Sequence, residues 1–520
     1  MATQSILGLS GINRQTSSFL LEEGELRDTF NLTSEKIGIL KKTFDYTIKN
    51  AQITASQRII GGIDFFRNDG THEHLVAING ASNAEIYKDV SGTWTSQSQS
   101  LTNNTKVRFD YSPTLDTLFA VNYSDATRSY NGSSWSTSTN VTGAPKAKYV
   151  MTFGRRVYLL NVGVATLSSA SASISPSASL SPSPSLSPSP SISASSSVSP
   201  SASVSPSPAE GVTSGTVYYD RAYRSSLVDS GTITWDTTND WITVDDVITG
   251  AGRNGDTMLI FGEHSLSIFT LSDELYRVSS TGCVSNESIA NYGKWTFWAA
   301  RDGIYAWDGS SETKISTAIQ SYWDGISEDG LSTMQAKVLG HHLYVYVGNL
   351  TEPETFTNVI FDYDINQNNW NRGYLADRVT HLHTFVTSTG KALFAGSDSG
   401  KIFQMFTGED QNGAVFASGF ETDWLYGSGP NIVDDFEELW AYGNKLSSLK
   451  VSYKLDSDDN RWESAGELNG DIDFVKIGEP LRGKKIRFLL QEMSSENLYE
   501  VDRLDLIFKP AFKQMADTET

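Results

Sequence analysis

Apolar, β-branched and aromatic residues come along this chain in short runs separated by polar turns rich in Gly, Asn and Asp, and no long window has helical apolar spacing. The clearest run is Val359 to Trp370, V-I-F-D-Y-D-I-N-Q-N-N-W. It reads as a strand reaching Tyr363-Asp364, a turn of Asn and Gln, and Trp370 opening the next extended segment. That is a β-hairpin with two aromatic anchors. Looser copies stand at Ile86-Tyr87 with Trp94, at Tyr130-Asn131-Gly132 with Trp135, and at Ile304-Tyr305-Ala306-Trp307-Asp308-Gly309. One such hairpin cannot bury its own apolar face, so the pattern predicts copies stacked against each other.

From Ile59 to Gly408 the paired runs follow one another. Leu75–Asn79 precedes Ala84–Lys88, Leu118–Asn122 precedes Tyr130 and Trp135, and Tyr149–Phe153 precedes Arg156–Leu160. Thr257–Phe261, Trp295–Trp298, Leu343–Val347 and Ala392–Gly396 open further pairs. Trp94 and Trp135 lie 41 residues apart, within the roughly 40 to 50 residue period of propeller blades. About six or seven units are expected, and a ring of four-stranded blades leaves few exposed edges. The Tyr363 to Trp370 spacing is similar to kelch-type blades. After Gly419 the repeat stops. Alternating segments at Glu437–Tyr442, Leu449–Tyr453, Phe474–Ile477, Lys485–Leu490 and Val501–Phe508 predict a small antiparallel sandwich.

The third unit is interrupted. From about Thr166 to Pro208 the chain turns to Ser-Pro-Ser and Ser-Ala-Ser repeats that hold eight of its 14 prolines. Such sequence cannot bury enough apolar surface to offset the cost of ordering, so a projecting disordered or polyproline-II-like loop is expected. It reads either as a tolerated surface insertion or as a contact on the outside of an assembly. The predicted fold class is thus all-β: a β-propeller over residues 59–418 with this insert at about 166–208, a β-rich extended arm over 1–58, a β-sandwich over 419–510 and a polar tail over 511–520.

The arm carries a pattern of its own: Gly11-Ile12-Asn13, Leu21, Glu23-Gly24-Glu25, Asp28, Asn31-Leu32, Gly38-Ile39-Leu40-Lys41-Lys42 and Tyr46. This opening segment resembles that of phage virion proteins of the tail-hub, tail-stabilisation and nozzle type, over about 40 residues, with Asp45 where a Gly before the Tyr is common. The resemblance implies a β-propeller that surrounds or closes the DNA channel of a short tail.

Composition narrows the function. The chain has 520 residues and a net charge of −21, which disfavours broad binding of a phosphate backbone and would let DNA pass an acidic lumen without sticking. Its one cysteine, Cys283, excludes an internal disulfide and multi-cysteine zinc sites. No secretory signal is visible at the N-terminus, and no run approaches the roughly 18 apolar residues of a membrane span.

Candidate chemistry is sparse. The histidines fall as His72-Glu73-His74, His264, His341-His342 and His381-Leu382-His383; the last pair shares one strand face, and solvent-facing histidines are expected there rather than a metal site. Asp362-Tyr363-Asp364-Ile365-Asn366 opens like a calcium loop, but Gln367 and Gly373 stand where its Gly and bidentate Glu belong, which favours a turn. Asp434-Asp435 with Glu437-Glu438, and Asp456-Ser457-Asp458-Asp459, read as solvated acidic loops. Gly396-Ser397-Asp398-Ser399-Gly400 is a strand-to-strand turn rather than a nucleophile elbow, and no phosphate-binding glycine loop occurs.

No catalytic, cofactor-binding or metal residues are assigned, and no enzyme is expected. The expected function is a structural part of a bacteriophage tail, a hub or nozzle around the DNA channel, forming a homo-oligomeric ring with other tail or head-to-tail proteins. Its expected location is the virion tail, after assembly in the host cytoplasm. The alternatives are a carbohydrate- or receptor-binding tail propeller and a general kelch-type interaction scaffold.

Overall fold

A computed structural model describes residues 1–7, 9–14, 25–36, 38–53, 57–163, 217–228, 231–351, 355–446, 448–457, 461–493 and 498–511. The Ser/Pro-rich insert, the polar tail beyond residue 511, and Leu21, Glu23 and Gly24 of the opening pattern lie outside the described residues. Seven four-stranded antiparallel sheets follow one another along the chain and form a β-propeller. Their first strands are Ile59–Phe66, Arg108–Ser112, Ala147–Phe153, Ile248–Asn254, Ala290–Tyr292, Gln335–Leu339 and Val379–Thr387, opening blades 1 to 7. Each first strand touches the first strands of both neighbouring blades, blade 7 returning to blade 1, so the ring is closed.

Burial explains which strands the sequence announces. Second strands such as His72–Ile78, Thr117–Val121, Thr257–Gly262 and Trp295–Ala300 are buried almost throughout, because a neighbouring blade covers each face. First strands border the central channel and carry more polar residues, as in the R-F-D-Y-S of blade 2. Between blades 5 and 6 lie two short helices, Gln320–Trp323 and Glu328–Thr333, the second capped by Ser327 Oγ accepting from the Gly330 N–H. Among the described residues no helix is long and apolar enough to cross a membrane.

Blade 7 takes its fourth strand from the other end of the chain. Tyr46–Ile48 pairs antiparallel with Ile402–Met405, setting Tyr46 opposite Met405 and Ile48 opposite Phe403. Residues 1–42, read from sequence as part of an arm, supply strands to the C-terminal sandwich. Leu32–Lys36, Ile39–Lys42 and Ala2–Leu7 join Glu500–Pro510, Asp434–Asn444 and Ile472–Gly483 in one sheet. Leu26–Phe30 joins Ser418–Thr422, Ile486–Glu492, Leu449–Leu455 and Glu463–Leu468 in the other. Ile6, Leu9, Leu26, Leu32 and Leu40 are buried in the core between them, against Phe436, Leu439, Phe488 and Leu506.

The insert opens and closes at adjacent points of blade 3, since Val162 and Tyr218 are strand partners. Excising residues 166–208 shortens that connection from 55 residues to 12, which by loop-closure entropy stabilises the protein by about 1 kcal/mol. A urea midpoint that falls on excision would mean the insert packs on the propeller.

Candidate functional site

Two places concentrate polar side chains: the joint between propeller and sandwich, and the mouth of the central channel. The joint is built on the anchor hairpin. The outer strand of blade 6, Asn369–Tyr374, is covered by the N-terminal strands. The Ile12 N–H donates to Trp370 O at 2.6 Å and the Asn31 N–H to Arg372 O at 2.8 Å. A Cβ on Gly11 would lie 2.2 Å from Trp370 O, so only glycine lets the two backbones approach here.

Side chains lock this contact. Arg372 Nη2 donates to Asp28 Oδ2 at 2.7 Å, and its guanidinium lies 4.2 Å from the Phe356 ring centre, 4.7 Å from Tyr322 and 5.0 Å from Tyr374. Asn31, at a φ of 55°, accepts from the Tyr374 N–H at 2.7 Å and donates to Ala417 O at 2.6 Å. It thereby ties blade 6 to the first residues of the sandwich. Asp362 binds His342 Nδ1 at 2.8 Å and accepts from Thr33 Oγ1. Lys42 and Glu492 form an ion pair with both side chains fully buried.

His341, His342 and Asp364 stand close enough to share a cation, and the register that sets His342 opposite Asp364 is the signal the sequence reading missed. The Asp364 carboxylate is already engaged. It accepts from the N–H groups of Asn366 at 2.8 Å and Gln367 at 3.0 Å, and from Gln367 Nε2 at 2.7 Å. It closes the hairpin turn rather than facing an open coordination site. Cys283 is buried with its thiol on Ser285 O at 3.1 Å, and burial pushes it up to about 12, as for a small packing residue.

His381 and His383 do share a strand face, but the expectation that they meet solvent is corrected: they are 9% and 3% exposed. The covering groups come from blade 1, more than 300 residues away in sequence. Nε2 of His383 meets Nε2 of His74 at 2.5 Å, and His381 Nε2 donates to Gly62 O at 3.1 Å. A Cβ on Gly62 would sit 2.9 Å from His383 Nδ1, so the bare backbone admits the ring.

Burial lowers all three imidazoles, His74 and His381 well below the usual histidine range and His383 to about 3. As pH falls below about 6.5 the unfolded chain takes up these protons and the native core does not, so stability declines with acidification. From pH 7.5 to pH 5 the expected loss is about 2 kcal/mol per histidine. Replacing His74→Phe together with His383→Leu should flatten the slope of denaturant midpoint against pH; an unchanged slope would remove these rings as its cause.

No protein-family model matches the chain, and no curated protein matches it in sequence. Solved structures are similar in fold alone. A catalytically inactive virginiamycin B lyase from Staphylococcus aureus with quinupristin is similar over 70% of this chain and 100% of that one, with 10% identity and a TM-score of 0.41. YCF48 bound to D1 peptide is similar over 69% of this chain and 94% of that one, with 9% identity and a TM-score of 0.37.

The channel mouth gathers basic residues that the sequence reading did not single out: Lys106, Arg108, Lys148 and Lys337. They come from three different blades, and no local spacing links them. Only the ring of first strands brings them together.

Proposed function

We propose that the protein is a structural, non-catalytic component of a bacteriophage tail, a hub or nozzle subunit that assembles as a homo-oligomeric ring with other tail proteins, with DNA passing through the lumen of the ring. One observation carries this reading. Six of the described residues through which the opening segment resembles tail proteins, Gly11, Ile12, Asp28, Asn31, Lys42 and Tyr46, lie at the joint or close blade 7. Gly11 and Ile12 meet Trp370, Asp28 holds Arg372, and Asn31 bridges blade 6 to the sandwich. Lys42 pairs with Glu492, and Tyr46 closes the ring while its hydroxyl donates to Asp377 at 3.1 Å. A pattern placed in this way serves a rigid two-domain part, and a repeated subunit with a head-to-tail contact closes into a ring when its rotation permits.

The aromatic anchors pack against one another, Trp307 and Trp370 buried and Trp94 and Trp135 half-buried. Tyr130 stacks on Trp135 at 4.8 Å, and Trp370, 1% exposed, sits 4.7 Å from Tyr363. Negative-stain images of purified protein, together with mass spectrometry of virions from a producing host, test the assignment. Closed rings and a virion-borne chain are expected. A monomer absent from virions would overturn it.

A further inference from the structure

Within a chain of net charge −21, the mouth of the propeller channel is locally inverted. Lys106 precedes and Arg108 opens blade 2's first strand, Lys148 lies on that of blade 3 and Lys337 on that of blade 6. Arg58 precedes the first strand of blade 1. Against these stands the carboxylate of Glu287, in the turn before blade 5's first strand. Arg108 Nε is 2.8 Å from Glu287 Oε1, Arg108 Nη1 donates to Lys148 O at 3.3 Å, and its guanidinium lies 4.8 Å from the Tyr149 ring centre. The arginine is therefore held in place.

The lysines are not matched in the same way. Lys106 Nζ donates to a neutral acceptor, Thr380 O, at 3.0 Å. Lys148 Nζ is 5.5 Å from the Tyr149 ring centre. Among the described residues nothing accepts a hydrogen bond from the Lys337 ammonium. Arg58 Nε and Nδ1 of His381 and His383 are also buried without partners. Deeper in, Asp110 accepts from Thr152 Oγ1 at 2.9 Å, so its carboxyl is engaged on its own neighbour blade.

The charges act on one another. Burial lowers Lys106 to about 8, with Arg108, Arg58 and Lys337 adding to the effect and Glu287 opposing it. Burial likewise lowers Lys148 and Lys337. Burial alone would raise Glu287, but Arg108 and Lys106 hold its carboxyl far below the usual range. Glu263 also favours the charged form of Lys148 and Asp398 that of Arg58, but Glu287 is the carboxylate shared by Lys106, Arg108, Lys148 and Lys337, and each buried cation is costly to keep charged there without an added counter-ion.

We propose that the channel mouth is a binding site for a multiply charged phosphate-type oxyanion, with Lys106, Lys148 and Lys337 as its ammonium donors and Arg108 as a guanidinium already fixed by Glu287. A single carboxylate would neutralise one charge. A compact oxyanion with several acceptor oxygens meets donors arriving from three blades at once. The site stands independently of the tail assignment, since it uses no residue of the joint.

Titration calorimetry of the full chain with pyrophosphate, and with citrate as a carboxylate control, tests it. One pyrophosphate per chain is expected, binding about tenfold more weakly to Lys337→Met, a loss of about one charge-assisted contact. Glu287→Gln removes the built-in counter-ion, so it should bind more tightly than the native chain. Affinity should fall as sodium chloride rises, and again as pH rises through about 8, where Lys106 loses its proton. Lys337→Met removes a partly buried charge and should melt no lower than the native protein, so its reading is not confounded by misfolding. Absence of binding at millimolar pyrophosphate, equal binding by Lys337→Met and Glu287→Gln, or citrate binding as tightly as pyrophosphate would each overturn the site.

Discussion

Lys42→Met is expected to destabilise the protein by about 3 to 5 kcal/mol, because it leaves the Glu492 carboxylate buried without its cation. Packing is nearly preserved in this variant: methionine keeps the stem that carries Nζ to 4.7 Å from the Phe416 ring centre. The loss is therefore electrostatic. Removing both charges in Lys42→Met with Glu492→Met should recover most of it, since an apolar pair of similar volume avoids desolvating either ion. Urea unfolding followed by tryptophan fluorescence reads both variants. If the single variant stayed within about 1 kcal/mol of the native protein, the pair would be open to water and this account of the joint would fail.

Deleting residues 1–50 should have a still larger effect, and on both domains at once. The sandwich would lose four strands and the buried Ile6, Leu9, Leu26, Leu32 and Leu40. At about 2 to 3 kcal/mol each, these side chains alone approach the total stability of an ordinary domain. Blade 7 would lose Tyr46–Ile48 and expose the edge of Ile402–Met405, a template for aggregation. The truncated chain is expected to aggregate, and a separate peptide of residues 1–50 added during refolding should restore a soluble species. A soluble truncated protein with an unshifted melting transition would show that the N-terminal strands are dispensable.

How far the fold can be read from the sequence depends on where each strand sits. Second strands are legible because neighbouring blades cover both of their faces, which forces continuous apolar runs such as Leu343–Val347. First strands are not, because the channel permits polar residues: Lys106 and Arg108 look like an ordinary surface stretch until the ring closes around them. The three-residue strand Tyr46–Ile48 gives no local sign of a partner at Ile402–Met405. The same holds for the histidines. Period two places His381 and His383 on one face, but the burial comes from His74 and Gly62, residues no local pattern connects to them. The joint was half legible: the Trp370 hairpin stood out, but its partner strand did not.

The first strand, Ala2–Leu7, pairs with Glu500–Pro510 and sets Ala2 opposite Phe508. On a ribosome adding about 5 to 20 residues per second, that partner emerges roughly half a minute to a minute and a half after the strand itself. Ile6, Leu26 and Leu32 must wait through that interval without a finished core, and Tyr46–Ile48 must wait until Ile402–Met405 emerges. The sandwich therefore cannot mature while the polypeptide is being made, whereas the ring has all its strands once Met405 has emerged. A product terminated before Met405 presents neither a closed ring nor a finished sandwich, and one terminated later still lacks the sandwich, so the topology itself withholds incomplete chains from assembly.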